Sequence, residues 1–113
     1  MNFSDTIVAL ATPAGVGAIG VIRLSGDRAI EIVNKVFQPK DLSVQASHTI
    51  HYGRIESAGR VYDEVVASLY IAPRSYTKEN VVEISCHGSP FIQESILQLF
   101  VEQGARFARP GEF

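Results

Sequence analysis

Apolar residues recur along this chain at two different spacings, and each switch between them marks a new element. Residues 5–10 (Asp-Thr-Ile-Val-Ala-Leu) are apolar and β-branched enough for a short buried strand, which Thr12-Pro13 ends. After a glycine-rich turn, Gly20 to Leu24 forms a second run of the same kind. The spacing then changes to threes and fours. Ala29, Ile30, Ile32, Val33, Val36 and Phe37 share one face of a helix that Ser25 or Asp27 caps and Pro39 ends. Leu42 to Ser47 is polar and irregular and reads as a loop. Two strands, His48 to Glu56 and Arg60 to Ile71, follow around Ser57-Ala58-Gly59, a hairpin with a glycine-bearing turn. The second strand places Val61, Val65, Ala67, Leu69 and Ile71 on one face. Its other face, Tyr62, Glu64, Val66, Ser68 and Tyr70, is too apolar for open solvent and asks for cover.

The stretch Ser75 to Gly88 concentrates what the rest lacks. A polar approach, Ser75 to Asn80, feeds a short apolar run that carries one carboxylate, Glu83, and breaks at Cys86-His87-Gly88. Ser89 then caps a second helix with Pro90 at its first position, and Phe91, Ile92, Ile96, Leu97, Phe100 and Val101 form its inner stripe. Gly104 is the expected left-handed stop, and Ala105 to Ala108 a last short strand. Two helices against about five or six strands, joined by short links, predict an α+β domain whose mixed sheet is covered on one face. The other face calls for a second copy of the chain or a further domain. Ending on Phe113 straight after a Pro-Gly turn suggests a cut in a longer protein.

Composition narrows the function classes. The 113 residues fit one domain, 1–113, and 46% hydrophobic with 19% charged residues fits a folded chain. A net charge of −2 argues against gripping a nucleic-acid backbone unaided. One cysteine excludes an internal disulfide framework and suits a reducing, cytoplasmic setting. No apolar run has the length to cross a bilayer, and the N-terminus does not read as a secretory signal.

Several motifs are weaker than they look. Gly15-Val16-Gly17-Ala18-Ile19-Gly20 has the G-x-G-x-x-G spacing of a dinucleotide site, but that fingerprint needs a helix opening on the loop, and a strand follows. Cys86 and His87 resemble a thiolate with its base, yet adjacent strand residues point to opposite faces. The histidines His48, His51 and His87 lack zinc spacing. No G-x-x-x-x-G-K-[ST] element occurs, so this chain alone is not expected to bind or hydrolyse a nucleoside triphosphate. Arg23 and Glu83 are different: each is a charge inside an apolar strand and needs a partner. They either pair with each other or reach solvent, or they flank a pocket in which Arg23 fixes an acidic or carbonyl group and Glu83 accepts two N–H donors from a heterocycle.

Asp5-Thr6-Ile7-Val8-Ala9 with Ala11-Thr12-Pro13, Gly20-Val21-Ile22-Arg23-Leu24-Ser25-Gly26, Ser75-Tyr76-Thr77, Glu79, Glu83, His87-Gly88 and Ala108-Arg109-Pro110-Gly111-Glu112-Phe113 occur in one order. Together they resemble the N-terminal domain of the MnmE (TrmE) family of tRNA-modification GTPases. The likeness spans nearly the whole chain, and Leu42 to Ser47 and the hairpin carry little of it. It implies a domain similar to the folate-binding domains of one-carbon enzymes, forming a homodimer that holds a tetrahydrofolate derivative, 5-formyl- or 5,10-methylene-tetrahydrofolate, near the dimer interface. On the matching positions, Arg23 and Glu83 are the implied folate contacts, with no catalytic residue and no metal site. A third, basic contact of the family lies beyond Phe113. Arg109, Gly111 and Glu112 are either ligand contacts or a hinge. The resemblance further implies that the full-length protein, with the flavoprotein MnmG (GidA), modifies the 5-position of the tRNA wobble uridine. Helical and GTPase domains, the latter holding GTP, potassium and magnesium, would follow; this chain lacks them and is expected to have no independent activity. A rival expectation is an assembly domain with a vestigial pocket.

Overall fold

In the computed structural model, which describes residues 5–12, 18–73 and 78–113, alternate residues of four strands turn inward and build most of one sheet. The strands are β1 (Ile7–Leu10), β2 (Ile19–Ser25), β3 (Phe37–Gln38), β4 (Thr49–Ser57), β5 (Arg60–Tyr70), β6 (Val81–His87) and β7 (Arg106–Phe107). They lie in the order β3-β4-β5-β6-β2-β1-β7, every neighbouring pair antiparallel except β1 with β7. Ile22 and Leu24 of β2, Ile55 of β4, Ala67 and Leu69 of β5 and Val82 and Ile84 of β6 face the helices α1 (Ala29–Asn34) and α2 (Pro90–Glu102). With Ile32, Val33, Ile96 and Phe100 they form one core. This is the expected α+β domain with a mixed sheet.

The strand count is seven because Phe37 leaves the helix. The period of α1 breaks after Asn34, and Phe37 pairs with Ile55 as an edge strand while still pointing inward, 1% exposed. A helix and an edge strand both ask for an apolar residue there, so spacing alone does not separate them. Phe37 packs where Gly53 has no side chain: a Cβ on Gly53 would stand 2.2 Å from the Gln38 carbonyl oxygen and 2.5 Å from the Phe37 ring.

Four further expectations change. Neither Ser25 nor Asp27 caps α1; Arg28 holds the cap position and its amide donates to Thr6 Oγ1 at 3.0 Å, so the cap comes from the approach to β1. Leu42–Val44 is not loop but a 3₁₀ turn capped by Asp41, with Leu42 fully buried. Val61 does not face inward. A β-bulge between Ile55 and Glu56 shifts the register of β5 before Asp63, so Val61 is 55% exposed, while Asp63 keeps the inward alternation of Val65, Ala67 and Leu69. In α2, Phe91 falls on the outer side of the first turn, 71% exposed, and Gln93 is buried instead, against Gly20.

The hairpin turn and the ends of α2 stand as read, while α1 stops at Asn34 rather than at Pro39. Ala58 (φ 52°) and Gly59 (φ 78°) make the two-residue turn of the β4–β5 hairpin. Ser89 Oγ accepts from the Ile92 amide, Pro90 opens α2, and Gly104 (φ 121°) follows its end. No helix among the described residues is long and apolar enough to cross a membrane.

Candidate functional site

Alternation decides where Arg23 and Glu83 point. The neighbours of Arg23, Ile22 and Leu24, are buried, as are Val82 and Ile84 around Glu83, so both charges emerge on the face away from the helices. β2 and β6 are antiparallel neighbours with Arg23 directly opposite Glu83. Arg23 donates from Nε (2.8 Å) and places Nη2 at 2.7 Å, both on Glu83 Oε2. The two side chains are only 24% and 25% exposed. Among the described residues nothing donates to Glu83 Oε1. The Arg23 guanidinium also lies 5.8 Å from the centre of the Phe113 ring.

This pair sits in a row that crosses the open face: Ala9, Arg23, Glu83, Ser68, Ile50. The next row is Val21, Ser85, Val66, Tyr52. There a hollow of about 230 Å³ opens, lined chiefly by Ile19, Tyr52, Val66, Ser85 and His87. The two charges therefore share a face but do not enclose a cavity. Directly opposed residues are about 5 Å apart at Cβ, too close to leave one, and they bond to each other instead. The hollow begins about 7 Å further along β6, at Ser85.

Cys86 and His87 do part to opposite sides. Cys86 is buried, its Sγ donating to the Gly20 carbonyl at 3.5 Å, while His87 is exposed. Burial, with the charge of Asp63 adding to it, pushes the Cys86 thiol up to about 11, so it carries no thiolate at neutral pH. A disulfide reagent at pH 8 is expected to leave native protein unlabelled and to react with one thiol per chain after denaturation. Rapid native labelling, followed by absorbance, would contradict this burial.

What spacing did not reveal is the partner of His87. Buried Asp63 accepts from the His87 amide through Oδ2 (2.8 Å) and pairs with its Nδ1 through Oδ1 (2.7 Å). The ring is thereby held at the rim of the hollow. The two residues lie 24 apart on different strands, so no local pattern announces the contact. Across the hollow, Tyr52 donates its hydroxyl to Glu64 at 2.7 Å.

The C-terminal stretch makes a second cluster. Arg106 Nε donates to Asp5 Oδ2 at 3.1 Å, and Nη1 and Nη2 grip both oxygens of Glu112 at 3.1 and 2.5 Å. Glu112 is thus engaged by the protein itself. Those bonds and the Arg109 amide hold its carboxyl down to about 2 from an ordinary 4.5. A depressed carboxyl stabilises the fold above its unfolded value and loses that contribution as pH falls through the folded one. The effect should fade between about pH 4.5 and about pH 2, and a carboxyl-carbon NMR titration should show a midpoint near the lower value. A midpoint near 4.5 would mean the pair does not form in solution.

Other sequence candidates gather no chemistry. β2 begins at Ile19, so a strand follows the glycine loop and the dinucleotide reading fails; Gly15 and Gly17, like Ser75-Tyr76-Thr77, lie outside the described residues. No group of three His, Cys, Asp or Glu suited to a metal occurs among the described residues.

Comparison with known proteins adds a family. The family model described as "GTP-binding protein TrmE N-terminus" matches residues 6–113. The tRNA modification GTPase MnmE of Cytophaga hutchinsonii is 57% identical over 112 residues, covering 99% of this chain and 24% of that protein. Those of Christiangramia forsetii and Lactobacillus delbrueckii subsp. bulgaricus are 53% and 51% identical, covering 100% and 96% of this chain and again 24% of each protein. The chain spans about a quarter of the length of these relatives.

Proposed function

Because this chain belongs to the TrmE N-terminus family of tRNA-modification GTPases, we propose that its open sheet face binds a tetrahydrofolate derivative and joins a second copy of itself. The observation that carries the reading is the cross-strand Arg23–Glu83 pair, half-buried on the open face, with Glu83 Oε1 accepting nothing from the described residues. A pterin edge presents an amino group and a ring N–H side by side. Glu83 Oε1 takes one donor, and Oε2 takes the other as Arg23 turns toward the ligand's carbonyl or anionic part. The 5-formyl and 5,10-methylene forms share this edge. The hollow beside the pair offers apolar contact for an aromatic ring.

Ile19, Ile50 and Tyr52, each more than 60% exposed on this face, support a homodimer. In the longer protein the bound folate supplies a one-carbon unit for the 5-position of the tRNA wobble uridine, with MnmG as partner, tRNA held by the full complex and a cytoplasmic location. GTP, potassium and magnesium belong to that protein's GTPase domain.

One observation favours a second reading. Arg23 and Glu83 satisfy each other, as they would in an assembly domain whose pocket is vestigial. Calorimetric titration with 5-formyltetrahydrofolate, together with sizing, separates the two. Saturable binding by a dimer supports the ligand site, and a dimer that binds nothing supports the assembly domain.

A further inference from the structure

Arg109-Pro110-Gly111-Glu112 closes a turn: the Glu112 amide donates to the Arg109 carbonyl at 3.0 Å, with Pro110 second and Gly111 (φ 78°) third. These are the residues a type II turn requires, so the turn is local and stiff. Its place on the domain is fixed from outside. Arg106 is tied to the sheet by the β7–β1 ladder, in register with Ile7, and by Asp5. Its remaining fork takes both oxygens of Glu112, the geometry that restrains a carboxylate most tightly. The residue after this anchored carboxylate is Phe113, whose ring meets Arg23. Ala9, a small side chain, is the β1 residue beside Arg23, between it and β7.

We infer that Arg106 and Glu112 are positioning residues for the candidate ligand face: their ion pair sets the turn that lays Phe113 against Arg23, and so fixes the guanidinium presented to the ligand. The effect on binding rests on the folate reading above; the effect on Arg23 does not. Glu112 acts from the far side of β1, through Phe113, and touches no ligand. An aromatic face on a guanidinium restrains it by cation–π attraction, which an aliphatic residue of similar bulk does not reproduce.

The test uses Glu112→Gln, Phe113→Leu and Phe113→Tyr in the full chain. The Arg23 Nε–Hε proton is expected upfield in the native chain and in Phe113→Tyr, where a ring current reaches it, and further downfield in both Phe113→Leu and Glu112→Gln. Titration with 5-formyltetrahydrofolate is expected to show about two- to five-fold weaker binding for Glu112→Gln and Phe113→Leu, with Phe113→Tyr unchanged. A Glu112→Gln chain whose Arg23 signal matches the native one overturns the clamp, as does full affinity in both weakened variants. A native chain that binds no folate overturns the ligand reading alone, and the Arg23 signal still decides the clamp.

Discussion

Glu83→Ala is expected to weaken 5-formyltetrahydrofolate binding by roughly 1.5–3 kcal/mol, about ten- to 150-fold in the dissociation constant. The magnitude is that of hydrogen bonds to a charged acceptor lost without replacement. The variant also removes the carboxylate that now receives Arg23 Nε and Nη2, and with it the restraint that holds the guanidinium across the strand. Thermal stability should hardly move, because a cross-strand ion pair about a quarter exposed contributes little net free energy after solvent screening. Calorimetry and a melting curve on the same preparation check both halves. Unchanged affinity removes Glu83 from the site, and a large loss of stability would mark the pair as structural.

Phe100→Ala is expected to cost about 3–5 kcal/mol of folding stability. Phe100 is wholly buried in the cluster that joins α2 to the sheet, and truncating it leaves a void that the surrounding strands cannot collapse to fill. A domain of this size is stabilised by only about 5–15 kcal/mol, so the variant should be marginal at 37 °C. Urea unfolding followed by far-UV circular dichroism gives the number. A loss below about 1 kcal/mol would mean that α2 does not cover the core as described.

The elements on which the candidate site stands were legible in the sequence. Each charge of the pair is embedded in a β-branched run, and alternation fixes the face to which it points. α2 was legible for a similar reason: Ser89, Pro90 and Gly104 are local signals whose meaning does not depend on the rest of the chain. What failed needed tertiary information. Phe37 fits a helical stripe as well as an edge strand, and only its pairing with Ile55 decides. One extra residue at the β5 bulge turned Val61 outward. Alternation assumes an unbroken strand and cannot foresee that. Nor does sequence give the register between strands far apart in the chain, which is why it left open whether Arg23 and Glu83 pair with each other or flank a pocket, and the structure shows them as bonded neighbours beside a hollow. The grip of Arg106 on Glu112 was hidden for another reason: the two are six residues apart, and only the turn from Arg109 to Glu112 folds one back on the other.

The structure of this chain crystallised with 5-formyltetrahydrofolate tests the account most directly. The account predicts the pteridine on the open face, its amino edge within about 3 Å of the Glu83 carboxylate and the Arg23 guanidinium turned toward the ligand. Pteridine density elsewhere, or an open face carrying only the undisturbed Arg23–Glu83 pair at saturating ligand, would contradict it.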